Sequence, residues 1–137
     1  MSANFVGKYQ RTSAERYEEF LDALGVNMLL CKAATVSTPV VEVSEEGGNW
    51  TIKTSTTLKS MELKFKLDEE FEETTPDGRE VKAVVKMEGN KLVTVQTAKK
   101  DGEKSTKSVR EFNGDELIYT MEIVGGDITC VQKFKRM

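Results

Sequence analysis

The sequence predicts an all-β protein whose antiparallel strands close into a barrel, with a short helical hairpin over its mouth. Three observations predict it. Turn-forming dipeptides recur about every ten residues from Val40 onward. The stretches between them alternate apolar and polar residues, and helical periodicity is confined to one segment near the start.

The helical segment comes first. Residues 14–24, AERYEEFLDAL, put Tyr17, Phe20, Leu21 and Leu24 at helical spacing, with Glu15, Arg16, Glu18, Glu19 and Asp22 elsewhere. Thr12 followed by Glu15 reads as a capping box, and Gly25 suits the C-terminal cap. Residues 27–36, NMLLCKAATV, form a second predicted helix with Asn27 as N-cap. It is apolar nearly all round, so it needs a covering surface. Together the two make a helical lid over about residues 14–36.

The rest reads as strands. The turn signals are Gly47-Gly48, Asp77-Gly78, Gly89-Asn90, Asp101-Gly102, Asn113-Gly114 and Gly125-Gly126. Between them Met61, Leu63, Phe65 and Leu67 share a face, as do Val81, Ala83, Val85 and Met87, and Leu117, Tyr119, Met121 and Ile123. Charged and polar residues fill the alternate positions, which means antiparallel strands in a sandwich or a barrel. Roughly nine or ten such strands fit a closed barrel wider than one its own side chains fill, so it can enclose a ligand. No repeat, linker or low-complexity stretch divides the chain, and residues 1–137 read as one domain.

Composition excludes several functions. With 20 basic and 23 acidic residues the net charge is −3, which gives no field to attract nucleic acid. Lys133, Lys135 and Arg136 form the nearest thing to a basic cluster and read as a solvated strand end; weak attraction to anionic membrane surfaces is the minor alternative. There is no histidine, which removes Cys/His zinc sites, histidine acid–base chemistry and the familiar nucleophile systems together. Cys31 and Cys130 are expected as two buried free thiols, with a disulfide between them left open. The opening residues MSANFVGKYQ hold no apolar run long enough for a signal peptide, and nothing approaches the ~20 apolar residues of a membrane span. A cytosolic protein with no cofactor and no metal is expected.

Several blocks carry a family resemblance. They are Asn4-Phe5-Val6-Gly7-Lys8-Tyr9, the helix Tyr17 to Val26, Ile52 to Thr57, Phe65-Lys66-Leu67, Glu69 to Thr75, Asp77-Gly78-Arg79, Arg110-Glu111 and Cys130 to Phe134. In this order and spacing the chain resembles the intracellular lipid-binding proteins, which include the fatty-acid-binding and cellular retinoid-binding proteins. The resemblance implies a lipocalin-like, flattened barrel of ten antiparallel strands with two short helices between the first and second. It also implies a monomeric carrier of a small hydrophobic ligand, in the cytoplasm and in some members the nucleus, with transient contact with membrane surfaces.

The resemblance also implies site residues. Arg110 stands where the family holds a lipid carboxylate, whereas Gln132 and Phe134 replace the family's second Arg and its Tyr. Alternation alone puts Ser108, Arg110 and Phe112 on one face, and Cys130, Gln132 and Phe134 on another. If those faces point inward, Arg110 is a guanidinium that cannot shed its charge in a partly apolar space, and a ligand carboxylate would relieve it. Water, an internal Glu or plain solvent exposure are the alternatives. Gln132 both donates and accepts, so it suits an alcohol as well as an acid. Tyr17, Phe20, Leu21, Leu24 and Leu30 are expected under the lid. Thr54, Leu58, Pro76 and Asp77 match the family's portal, with Leu58 where many members have a gating Phe. A long-chain fatty acid is the expected ligand, and a retinoid the alternative.

Two other classes remain to be weighed. Glu69-Glu70 and Glu72-Glu73 offer paired carboxylates, but without a histidine or a nucleophile they read as solvated surface, not as an active site. An empty, collapsed barrel serving as an interaction module is the third class.

Overall fold

A computed structural model of the 137-residue chain describes residues 5–23, 39–56, 60–74, 80–100, 104–126 and 128–137. Its ten described strands are β1 (Gly7–Glu15), β2 (Val40–Glu46), β3 (Asn49–Ser55), β4 (Ser60–Lys66), β5 (Phe71–Thr74), β6 (Glu80–Glu88), β7 (Lys91–Ala98), β8 (Thr106–Asn113), β9 (Glu116–Ile123) and β10 (Thr129–Arg136). One helix, α1 (Tyr17–Ala23), follows β1. The strands make a single antiparallel sheet in the order β4-β3-β2-β1-β10-β9-β8-β7-β6-β5. Pairing of β1 with β10 joins the two halves, and β4 and β5 are left as the edges. There the rings of Phe65 and Phe71 stack at 6.1 Å, and the Asp68 N–H donates to the Val85 carbonyl at 2.9 Å. Side chains and a crossing turn thus bring the edges together, and the barrel is nearly closed.

Alternation explains why these stretches are strands. Val81, Ala83 and Val85 on β6 are buried while Glu80, Lys82 and Lys86 are exposed, and β3 buries Trp50 and Ile52 on either side of Thr51. Hairpins fall where glycine relieves a positive φ: Gly89 at 64°, Gly114 at 63° and Gly125 at 81°. Two of these turns sit one residue from their predicted place. They are Gly114-Asp115 and Val124-Gly125, because β8 runs on through Asn113 and Gly125 adopts the positive φ itself.

The first helix begins later than its periodicity suggests. Residues 14 and 15 extend β1, with Ala14 opposite Gln132 and Glu15 opposite Val131, and the chain turns at Arg16 (φ 58°) before α1. The Thr12–Glu15 capping box does not form. Pairing with β10 claims these residues first: Thr12 is the extra residue of a β-bulge, and its hydroxyl donates to the Lys133 carbonyl at 3.2 Å. Leu24, at the end of the first predicted helix, and the second predicted helix with Leu30 and Cys31 lie outside the described residues, as do Leu58, Pro76 and Asp77.

The basic C-terminus needs one correction too. Lys133 and Lys135 are exposed, but Arg136 is a structural clamp. Its guanidinium donates to the Val6 carbonyl at 2.8 Å, the Tyr9 hydroxyl at 2.8 Å and the Gly114 carbonyl at 3.3 Å, and lies 4.8 Å over the Tyr9 ring. It ties the start of β1 to the β8–β9 turn. Carbonyls left by a turn and a chain start give a strand-end cation more than solvent does.

Candidate functional site

The inward faces of the strands sort into three levels. At one end a buried aromatic and aliphatic cluster gathers Phe5, Trp50, Leu92, Phe112, Leu117 and Phe134 among others. At the opposite end Phe20 of α1 packs on Ile123 and Cys130, with Tyr17, Leu21 and Met121 against them. Between these two apolar levels the inward positions turn polar. On β8 Arg110 stands between buried Ser108 and Phe112, on β9 Tyr119 follows Leu117, and on β10 Gln132 stands between Cys130 and Phe134.

Register makes these three residues neighbours. Arg110 lies directly opposite Tyr119, and Tyr119 directly opposite Gln132, so they form one row across β8, β9 and β10. The Arg110 guanidinium lies 4.2 Å over the Tyr119 ring. Arg110 and Tyr119 are only partly buried, although they share their face with buried residues on either side. Their accessible surface therefore opens into the barrel, and Met121 and Met87 behave likewise.

On β1, Arg11 lies opposite Phe134, one level along from the row, and its side chain reaches across to it. Arg11 is buried on the same face as Tyr9, and its Nη1 donates to Gln132 Oε1 at 3.2 Å. Its guanidinium also sits 5.3 Å over the Tyr17 ring, which links the row to the underside of α1. Burial holds the Arg11 pKa below the usual arginine value, with Tyr17 and Cys130 acting the other way. Arginine stays charged regardless. Burial pushes the Cys130 thiol up to about 12, so it is an inert, neutral neighbour at pH 7.

A second polar chain runs nearer β5. Gln96 Nε2 donates to Glu73 Oε2 at 3.0 Å, and Thr106 Oγ1 donates to Gln96 Oε1 at 2.6 Å. Thr94, one level below, is buried, and its hydroxyl has no partner among the described residues. A separate open groove, lined by Asn49, Trp50, Thr51, Lys64, Phe65 and Lys66, holds none of these groups.

Of the residues expected from sequence, the structure brings Arg110 and Gln132 into one row and puts Tyr17, Phe20 and Leu21 under α1. Thr54 sits near the far end of β3, half-buried, opposite Met61. Phe134 packs into the apolar end cluster. Arg11 and Gln96 were not singled out from sequence; Tyr119 was read only as part of an apolar strand face, and Glu73, read as solvated surface, is half-buried and accepts from Gln96. Alternation with Tyr9 is the signal that could have found Arg11. Chemically, the row presents guanidinium, phenol and amide groups between two apolar levels, an arrangement suited to an amphipathic molecule with an oxygen-rich end. No helix among the described residues is long and apolar enough to cross a membrane.

Comparisons with known proteins agree with this architecture. Residues 6–137 match the Lipocalin / cytosolic fatty-acid binding protein family. A cellular retinoic acid-binding protein 2 of Mus musculus is 44% identical over 137 residues, covering 97% of this chain and 98% of that protein. A fatty acid-binding protein of Lepidoglyphus destructor is 42% identical over 135 residues, covering 98% of each. The solved Schistosoma mansoni fatty acid binding protein in complex with arachidonic acid superposes with a TM-score of 0.90 at 32% identity, covering 98% of this chain and 97% of that one. The chain is therefore not an enzyme but a member of the Lipocalin / cytosolic fatty-acid binding protein family.

Proposed function

We propose that this protein is an intracellular, monomeric, single-domain carrier that holds one long-chain fatty acid inside the barrel. Arg110 takes the carboxylate and Gln132 assists. The apolar residues under the lid, Tyr17, Phe20, Leu21, Leu24 and Leu30, meet the acyl chain, which enters past Thr54, Leu58, Pro76 and Asp77 after brief contact with a membrane surface. The observation that carries this reading is Arg110 itself: an inward guanidinium, partly accessible to the interior and held over Tyr119. An unpaired guanidinium in such a place costs several kcal/mol, and a bidentate carboxylate offsets that cost. Burial of the chain at about 25 cal/mol per Å² readily reaches the roughly −8 kcal/mol of micromolar binding.

Displacement of a fluorescent probe by oleic acid and by oleyl alcohol tests the reading. Arg110→Ala weakens the acid more than the alcohol, because only the acid loses an ion pair. Equal weakening of both overturns the role of Arg110.

A retinoid, acid or alcohol, is the second reading. The retinoic acid-binding relative is as similar to this chain as the fatty acid-binding one, and Gln132 tolerates an alcohol end. Direct competition between retinoic acid and oleic acid for one site separates the two.

A further inference from the structure

We propose that Glu73, Gln96 and Thr106 form a second polar subsite at the lid end of the barrel, which takes a hydroxyl carried partway along the lipid's chain. The ligand class is then a hydroxylated long-chain fatty acid. The inference rests on the carrier reading above and deepens it.

The barrel interior is lined unevenly. Inward positions on β2, β3 and β4 carry Val41, Val43, Trp50, Ile52, Leu63 and Phe65, all packed in one apolar cluster. Beyond Leu92 and Arg110, the next inward positions on β7 and β8 are instead Thr94, Gln96, Ser108 and Thr106. Pairing sets Thr94 opposite Ser108 and Gln96 opposite Thr106, so these groups make two polar levels in succession. A plain alkyl chain laid against such a wall leaves its polar groups without partners, which costs free energy. Thr94 shows the shortage directly: it is 2% exposed, and its hydroxyl has no partner among the described residues.

The level nearer the lid is wired toward an anion. Thr106 Oγ1 donates to Gln96 Oε1 at 2.6 Å, and Gln96 Nε2 donates to Glu73 Oε2 at 3.0 Å. Both bonds run the same way and together fix the amide. One N–H of Gln96 and Oε1 of Glu73 are left without a partner among the described residues, and no cation among those residues pairs with Glu73. Glu73 is half-buried on the inward face of β5, and Gln96 is half-buried beside buried Thr94. Thr106 stands opposite Ile123, on which Phe20 of α1 packs, so the group lies under the helix.

A free donor beside a free anionic acceptor complements a hydroxyl, which accepts from the amide and donates to the carboxylate. A keto group satisfies only the amide, and a second carboxylate meets a like charge. Spacing sets where on the chain the hydroxyl sits. Thr106 and Arg110 are four residues apart on β8, roughly 13 Å at a strand rise of about 3.3 Å per residue. An extended alkyl chain covers that distance in roughly ten or eleven zigzag bonds of about 1.5 Å.

The experiment compares displacement of the fluorescent probe by three acids. They are oleic acid, ricinoleic acid, which is oleic acid with a hydroxyl on its twelfth carbon, and alpha-hydroxyoleic acid, whose hydroxyl sits beside the carboxyl. The wild type is expected to bind ricinoleic acid about tenfold more tightly than oleic acid, the scale of one hydrogen bond to a charged group. Alpha-hydroxyoleic acid shows no such gain. In Gln96→Met and in Glu73→Leu the ricinoleic preference disappears, with thermal unfolding followed in parallel. Where either variant does not fold, Glu73→Gln removes the charge and keeps an acceptor, and the preference falls by about threefold. Equal affinity of the wild type for ricinoleic and oleic acid overturns the inference and leaves the carrier reading standing. An equal gain with alpha-hydroxyoleic acid, or a ricinoleic preference unchanged in the folded variants, overturns it as well. A wild type that binds none of the three acids overturns both readings.

Discussion

The guanidinium of Arg110 lies 4.2 Å over the ring of Tyr119, the residue directly opposite it on the neighbouring strand. The ring fixes the direction of a long, flexible cation that would otherwise sample the barrel interior, at a stabilisation of about 0.5–2 kcal/mol. Tyr119→Leu removes that platform and keeps the apolar volume. Oleic acid affinity should fall severalfold, with oleyl alcohol less affected. Loss of both to the same extent in a displacement titration would mean that Tyr119 only packs.

Arg136 predicts a stability effect remote from the site. It joins Val6, Tyr9 and Gly114 through three hydrogen bonds from a charged group. Arg136→Met should destabilise the fold by about 2–4 kcal/mol in urea unfolding. Gly7, whose φ is 152°, lies against the same guanidinium, and a Cβ there would collide with Arg136 Nη1. Gly7→Ala therefore displaces the clamp. The double variant should cost clearly less than the sum of the single ones, and simple additivity would argue that Gly7 acts only through its own backbone.

Cys130 predicts the alkaline limb of the stability curve. Its thiol is raised from 9.0 to about 12 by burial, so the folded state binds its proton more tightly than the unfolded chain. That stabilisation is complete below pH 9 and is lost as pH rises toward about 12, by at most about 1.4 kcal/mol per unit. Tyr9, also raised by burial, adds a slope of the same sign above pH 10. Cys130→Ala should flatten the fall between pH 9 and pH 10 in denaturant titrations. An identical slope in wild type and variant would assign it to other groups.

Much of this fold was legible because two-residue alternation maps directly onto the faces of a strand. Ser108, Arg110 and Phe112 point inward as read, and so do Cys130, Gln132 and Phe134. What alternation does not supply is register. A turn at Asn113-Gly114 would pair Arg110 with Leu117, whereas the observed turn at Gly114-Asp115 pairs it with Tyr119. One residue in a hairpin thus decides which aromatic ring meets the cation. Arg11 escaped for a different reason. Beyond Tyr9 both faces of β1 are polar, so Gln10, Arg11, Thr12 and Ser13 show no apolar stripe, and the helical signal at Thr12 and Glu15 competes with the strand. Only pairing with β10, a contact between the two ends of the chain, resolves that competition.

The central claim is that the barrel interior holds one amphipathic lipid. Native mass spectrometry of the purified protein after addition of oleic acid tests it most directly. The account predicts a single adduct of one lipid per chain, its retention weakened in Arg110→Ala. Bare protein at saturating oleic acid and retinoic acid, or multiple adducts insensitive to that substitution, would contradict it.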